Sequence, residues 1–279
     1  MRLSQTLYIL LSLLTIFISP GCEKVIEVDL NDAAPRIVIE GLITDRRGPY
    51  AVNISKSGSY FDQPVLETVS GATAFITDDF GNIDSLHETL PGRYMTGRIR
   101  GVVGRTYTLK VISDFQEFSG TTTMLSRVNI DSLKLVKSEF TRFDLSGHSQ
   151  NETHYEVHCF FRDPLEKNYY RIKVFKNDSI NTESYRLYDD QYTNGEATEL
   201  RVTRATLGDT YRIELMSLDK STYGYYRTLA DLLYQNPFFG STPSNPNSNL
   251  SNGALGYFGA CAVSTRTMVI TESLMNSAK

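Results

Sequence analysis

Thr106-Tyr107-Thr108-Leu109-Lys110-Val111-Ile112 alternates strictly, with Tyr107, Leu109 and Val111 on one side and Thr106, Thr108 and Lys110 on the other. A period of two places one set on each face of an extended chain, so the stretch reads as a half-buried β-strand. The pattern recurs outward from there. Tyr50, Val52 and Ile54 alternate with Ala51, Asn53 and Ser55, and Ala72, Ala74 and Ile76 continue the theme. Asp78-Asp79-Phe80-Gly81-Asn82 supplies a hairpin loop, with Gly81 available for positive φ. Further strands are expected at Arg36–Thr44, Ile83–Thr89, Arg93–Thr96 and Phe118–Thr123, with Gly41 marking a bulge or a crossing point in the first of them. Short strands separated by regular turn signals argue for a β-sandwich over residues 22–125.

A second β-rich domain is expected over residues 126–279. Tyr155, Val157, Cys159 and Phe161 alternate with Glu156, His158 and Phe160, and strands follow at Asn168–Lys176, Thr198–Thr203 and Thr210–Leu218. The period then changes. Tyr225, Leu229, Leu232 and Leu233 form a helical stripe, which Asp219 or Ser221 can cap and Asn236-Pro237 ends. This predicts one helix over 221–235, a long Asn/Ser/Pro-rich loop over 236–252, and closing strands running through Val263 and over Arg266–Thr271, with a frayed end. The expected fold class is mainly β: two β-sandwich-like domains with one helix in the second.

The first 22 residues carry a different signal. Arg2 precedes an apolar run from Leu7 to Ile18, closed by Ser19, Pro20 and Gly21 before Cys22. That run is short for a membrane span and is built like a secretory signal. A cysteine directly after the small residues predicts cleavage of residues 1–21 and acylation of Cys22, whose acyl chains would enter membrane lipid. An alternating strand follows at once, Ile26, Val28 and Leu30, so the first domain is expected close to the membrane. The chain of 279 residues has 41% hydrophobic and 22% charged residues, the profile of an ordinary folded protein. Its net charge of −4 and the lack of a basic run in the sequence argue against nucleic-acid binding.

No stretch reads as catalytic. There is no G-x-S-x-G elbow, P-loop or dinucleotide fingerprint. His154 and His158 lie four apart on an expected strand, which separates them by ~13 Å and disfavours a shared metal. Asp189 to Glu196 hints at a calcium loop, but Tyr192 and Arg201 fall where oxygen ligands belong, so a polar hairpin is expected instead. No cofactor and no metal are expected. The oxidising envelope permits a Cys159–Cys261 disulfide, and two buried thiols are the alternative. Tyr185, Tyr188, Tyr192, Tyr223, Tyr225 and Tyr226 are either packing residues or an exposed patch. Phe238 and Phe239, adjacent in the long loop, are candidate partner contacts.

Two resemblances add to this. Residues 70–111, with Ser70-Gly71-Ala72, Asp78-Asp79-Phe80-Gly81-Asn82, Pro91-Gly92-Arg93-Tyr94 and Gly104-Arg105-Thr106-Tyr107, resemble a transthyretin-like, carboxypeptidase-regulatory β-sandwich module. More broadly, the whole mature chain resembles a Bacteroidota family of outer-membrane lipoproteins of unknown function. The matching features are Cys22-Glu23-Lys24-Val25-Ile26, Val38-Ile39-Glu40-Gly41-Leu42, Asp163-Pro164, Asn168-Tyr169-Tyr170-Arg171 and Ser251-Asn252-Gly253-Ala254-Leu255-Gly256-Tyr257-Phe258. Such proteins are often encoded beside TonB-dependent receptors. The resemblance implies a non-enzymatic accessory or ligand-capture subunit of an uptake system, anchored in the outer membrane. A cell-surface adhesin or structural envelope protein is the alternative.

Overall fold

A computed structural model describes residues 34–58, 67–143, 149–180, 186–234 and 244–278. The signal segment, Cys22, the strand expected at Ile26–Leu30, Tyr185, Asn236-Pro237, Phe238 and Phe239 lie outside the described residues. The chain is mainly β, as its alternation implied. Its first part contains β1 (Ile37–Thr44), β2 (Ala51–Lys56), β3 (Glu67–Thr68), β4 (Thr73–Asp78), β5 (Ile83–Ser85), β6 (His87–Leu90), β7 (Arg93–Met95), β8 (Thr106–Ser113) and β9 (Gln116–Thr123). Then come β10 (Ile130–Phe143), β11 (Ser149–Arg162), β12 (Tyr169–Lys176), β13 (Ser179–Ile180), β14 (Arg186–Asp189), β15 (Ala197–Ala205) and β16 (Thr210–Leu218). Helix α1 (Lys220–Leu233), β17 (Leu255–Val269) and a short α2 (Glu272–Ser277) close the chain.

One ten-stranded sheet runs through the molecule in the order β13-β12-β16-β17-β1-β2-β7-β6, with β14 and β3 pairing at its sides. A four-stranded sheet, β5-β4-β8-β9, and a three-stranded sheet, β10-β11-β15, complete the β-structure. Alternation decides what each covers. Ile76, Leu109 and Val111 from the four-stranded sheet share a core with Ile39, Ile43, Val52 and Phe258 of the large sheet. Val157, Cys159, Phe161 and Val202 from the three-stranded sheet share a second core with Tyr170, Ile172, Ile213 and Leu215. The opposite side chains of β16 and β17, among them Met216, Leu218, Cys261 and Val263, pack under α1 with Tyr223, Tyr225 and Tyr226. Each fully buried side chain of this size contributes on the order of 1.5–3 kcal/mol relative to exposure.

Strand β17 serves all three cores. It pairs in parallel with β1, from Val38↔Leu255 to Thr44↔Cys261, and antiparallel with β16, from Thr210↔Val269 to Leu218↔Cys261. Phe258, Ala260 and Ala262 face the first core, Met268 reaches the second, and Tyr257, Cys261 and Val263 lie under α1. Residues 125 and 126 lie between β9, in the four-stranded sheet, and β10, in the three-stranded sheet. The large sheet runs across that point, because its central strand comes from the end of the chain.

Several elements differ from expectation for local reasons. The single strand expected at Ile83–Thr89 splits at buried Leu86, whose amide donates to Ala74 O at 2.9 Å, so β5 and β6 join different sheets. The two closing strands are one continuous β17. The expected frayed end is instead α2, capped by the Thr271 side chain, with Leu274 and Met275 against the second core. Gly41 is not a bulge, since its pairing with Val52 and Phe258 is in register. It marks close packing: a Cβ there would stand 3.1 Å from Val52 Cγ2 and 3.2 Å from Phe258 Cδ2.

Gly256 opens β17 with φ +90°, and a Cβ there would lie 2.1 Å from the carbonyl oxygen of Ile39. Gly104 has a similar φ of +85° but open space around its Cα. Gly104→Ala should therefore cost only the backbone term of about 1–2 kcal/mol. Gly256→Ala should cost at least twice as much, because β1 must also move away. Urea unfolding of the two variants checks this, and equal losses would contradict the close approach of β17 to β1.

Candidate functional site

The open side of the large sheet, where α1 lies, carries most of the chain's unusual chemistry. Helix α1 begins at Asp219, whose Oδ1 accepts from Thr222 N at 2.7 Å, a side-chain cap on an otherwise orphaned donor. The other carboxylate oxygen accepts from Thr122 Oγ1 at 2.5 Å, and that hydroxyl in turn accepts from Ala260 N at 3.0 Å. One cap thus joins β9, β17 and the helix. The buried helix face is Thr222, Tyr223, Tyr225, Tyr226 and Ala230, while Leu233 is 58% exposed. The expected stripe is thus rotated toward the tyrosines. The reason is chemical: Tyr225 stacks on Tyr257 at 4.5 Å, Tyr226 shares a hydroxyl hydrogen bond with Tyr257, and Arg171 lies 4.1 Å over the Tyr226 ring. Burial pushes the Tyr257 phenol well above its ordinary range, so it stays a neutral hydrogen-bonding group.

Beyond the helix the sheet face turns ionic. Lys173, Glu214 and Thr265 stand opposite one another on β12, β16 and β17. Glu214 is buried and accepts from Arg46 Nη1 at 2.8 Å and Arg212 Nη1 at 2.6 Å. Arg212 also covers the Phe175 ring at 3.7 Å. Burial and the nearby Arg171 charge pull the Lys173 ammonium below its ordinary range, although Glu214 opposes this. A single carboxylate holding two guanidinium groups fixes their position on this face.

On the three-stranded sheet, the face away from the core holds a second polar cluster. The Glu156 carboxylate is 3% exposed and lies 2.9 Å from His154 Nε2, 3.4 Å from His158 Nε2 and 3.2 Å from Arg201 Nη1. Glu199 Oε1 lies 2.7 Å from His158 Nδ1. Burial favours the neutral acid, but the hydrogen bonds from His154 and His158 and the Arg201 charge outweigh it, holding the Glu156 carboxyl below its ordinary range. The Glu156 carboxylate thus lies between His154 and His158. Among the described residues no group of three or more His, Cys, Asp or Glu is arranged to hold a metal ion.

The other singled-out residues fall as follows. Cys159 and Cys261 form no disulfide: both are buried free thiols, placed in different cores. Burial pushes each up to about 12, so both are poor nucleophiles at neutral pH. The Asp189 to Glu196 segment is a turn between β14 and β15. Asp190 accepts from Asn168 N at 2.6 Å and pairs with Lys167 at 2.5 Å, so its carboxylate ties the turn to the start of β12. Tyr188 packs against Phe161 and Tyr170, and Tyr192 is exposed. The sequence reading did not single out Glu156, Lys173 and Glu214. Their signal in the sequence is a charge at a strand position flanked by apolar residues, a pattern that a solvated face writes equally well.

A large β-sheet protein with two smaller sheets on it, a tyrosine-rich helix and ionic clusters on its free faces is the class these observations define. The chain belongs to the family described as Domain of unknown function (DUF4249), whose model matches residues 23–267. No curated protein matches it.

The Glu156 cluster generates a pH prediction. A carboxyl held below its ordinary value of 4.5 adds stability that is fully present above that pH and is lost as pH falls through its folded value. Glu156→Gln should lower the melting temperature by a few degrees at pH 7, at about 2–4 °C per kcal/mol for a chain of this size. That gap should narrow below pH ~4. Thermal scans at pH 3 and pH 7 check it, and an equal gap at both would remove the ionised carboxylate from the account.

Proposed function

We propose that this chain is a lipid-anchored, non-enzymatic protein of the outer membrane, serving as an accessory or ligand-capture subunit of a TonB-dependent uptake system. The observation that carries the anchoring is the junction at Cys22. A signal-like apolar run ends there, and the family's domain begins at the next residue, 23. An acyl group on Cys22 would hold the β-structure near a membrane surface, where free faces of the sheet can meet an integral partner. The ionised and stacked side chains on those faces position charge and aromatic rings, a property suited to recognition. Among the described residues no nucleophile is paired with a base in the manner of an acyl- or phosphoryl-transfer centre.

Radiolabelled palmitate fed to expressing cells should enter the wild-type chain and not Cys22→Ser; equal labelling of both would end the anchoring proposal. Cross-linking in intact outer membranes, followed by mass spectrometry, should enrich a TonB-dependent receptor with the wild type. Labelling without any such receptor would leave an anchored protein and remove the uptake role, in favour of an adhesin or structural part.

A further inference from the structure

Between Glu88 and Asp114 the chain has no acidic residue but carries Arg93, Arg98, Arg100, Arg105 and Lys110. Two of these cations are neutralised within the fold: Arg105 pairs with Asp78 at 2.7 Å and Lys110 with Glu117 at 2.9 Å. Arg98 and Arg100 are not. They sit on the irregular segment between β7 and β8, and the turn between β1 and β2 brings Arg47 to the same place. The three arginines line an open cleft of about 530 Å³ together with Gly48, Pro49, Gly97 and Ile99. Among the described residues none of the three guanidinium groups has a carboxylate partner, and all three residues are exposed. The sequence shows no basic run because Arg47 is fifty-odd positions away; the pairing of β2 with β7 closes that distance.

The cleft's floor is held rigidly, and from below. Asp84 Oδ2 accepts from the amides of Gly97, Arg98 and Ile99 at 2.9, 2.8 and 2.9 Å. The Tyr107 hydroxyl donates to Arg100 O at 3.0 Å and accepts from Val102 N at 2.7 Å. The Tyr50 hydroxyl accepts from Gly101 N at 3.1 Å and bonds Thr44 O at 2.7 Å. All three of these side chains are buried. Gly101 lets the segment lie against the end of β1, where a Cβ would come within 2.1 Å of Thr44 O. A loop without regular hydrogen bonding is thus fixed at successive backbone groups by three side chains, from β5, from β8 and from the residue just before β2. Asp84, the carboxylate beneath the loop, engages three of its amides through Oδ2. Such fixing lowers the ordering cost that a ligand would otherwise meet.

We propose that this cleft, gripped by Arg47, Arg98 and Arg100, binds a phosphate-bearing ligand. Three planar guanidinium forks around one concave site suit tetrahedral groups that carry more than one negative charge and several acceptor oxygens. A single carboxylate would engage one fork and leave the others unpaired. The phosphate can belong to a soluble molecule or to a lipid headgroup, and the chemistry of capture is the same for both.

The test uses the purified full-length chain in detergent-free buffer with Cys22→Ser, titrated calorimetrically at 0.15 M salt with inorganic pyrophosphate, with citrate, and with vesicles of neutral or phosphatidylglycerol-containing lipid. Pyrophosphate should bind saturably and more tightly than citrate. R47Q, R98Q and R100Q should each weaken it by about tenfold, and the triple variant should abolish it with the melting temperature nearly unchanged, as for exposed side chains. R162Q, an exposed arginine elsewhere, should bind as the parent does. Binding of anionic vesicles that pyrophosphate displaces would assign the lipid headgroup as a source, while binding of pyrophosphate alone would assign a soluble ligand. Citrate binding as tight as pyrophosphate, no saturable binding of either phosphate probe, or unchanged binding by the triple variant would each overturn the proposal. None of these results depends on whether Cys22 is acylated in cells.

Discussion

The fold depends on one strand, β17, held on both sides by hydrogen-bonded neighbours, one of them more than 200 positions away in sequence. On one side it pairs in parallel with β1, near the start of the described chain, and on the other antiparallel with β16. Without it the large sheet would separate into β1-β2-β7-β6 and β12-β16 pieces, each with only one covering sheet. Its length of 15 residues lets a single alternating pattern feed two cores on one face and the helix-covered core on the other. The Asp219–Thr122–Ala260 relay then locks α1 onto this strand and onto β9. Pairing between residues more than 200 positions apart carries a large loop-closure cost before any contact is gained, so the last strand to be made completes the sheet.

Much of this was legible in the sequence. The alternations at Tyr50–Ser55, Thr106–Ile112 and Tyr155–Phe161 each correspond to a strand with Val52, Leu109 or Cys159 and their expected neighbours turned to a core, and Thr210–Leu218 is a strand as expected, buried on both faces over its second half. The helix lies within a residue or two of its expected ends, and Asp219, one of two proposed caps, is the one used. What alternation cannot supply is partnership. A strand near residue 260 reads the same whether it pairs with its neighbour in sequence or with β1, and that choice decides whether there are two separate sandwiches or one shared sheet. The helix stripe differs for a related reason. Tyr225 is buried as the stripe predicts, but Leu233 is exposed, because Tyr226, outside that stripe, packs on Tyr257 and meets Arg171.

The candidate sites were less legible, because they are made by juxtaposition. Nothing near Arg98 announces Arg47, and Glu156 looks like an ordinary outward residue until His154, His158 and Arg201 are folded around it. Charges placed among apolar strand residues are the nearest thing to a signal, since a solvated face and a buried ion cluster write the same alternation. The cysteines show the reverse case. Both alternatives were open in sequence, and placement in different cores settles them as thiols.

Native-state hydrogen exchange tests the shared strand most directly. If β17 makes residues 35–269 one cooperative unit, amides of β8 such as Leu109 and amides of β16 such as Leu215 should open with the same highest free energy and the same denaturant dependence. Amides of β1 and β17 should belong to that same class. A β4–β9 half that opens at its own lower free energy, with β12 and β16 still protected, would contradict the account and restore two independent domains.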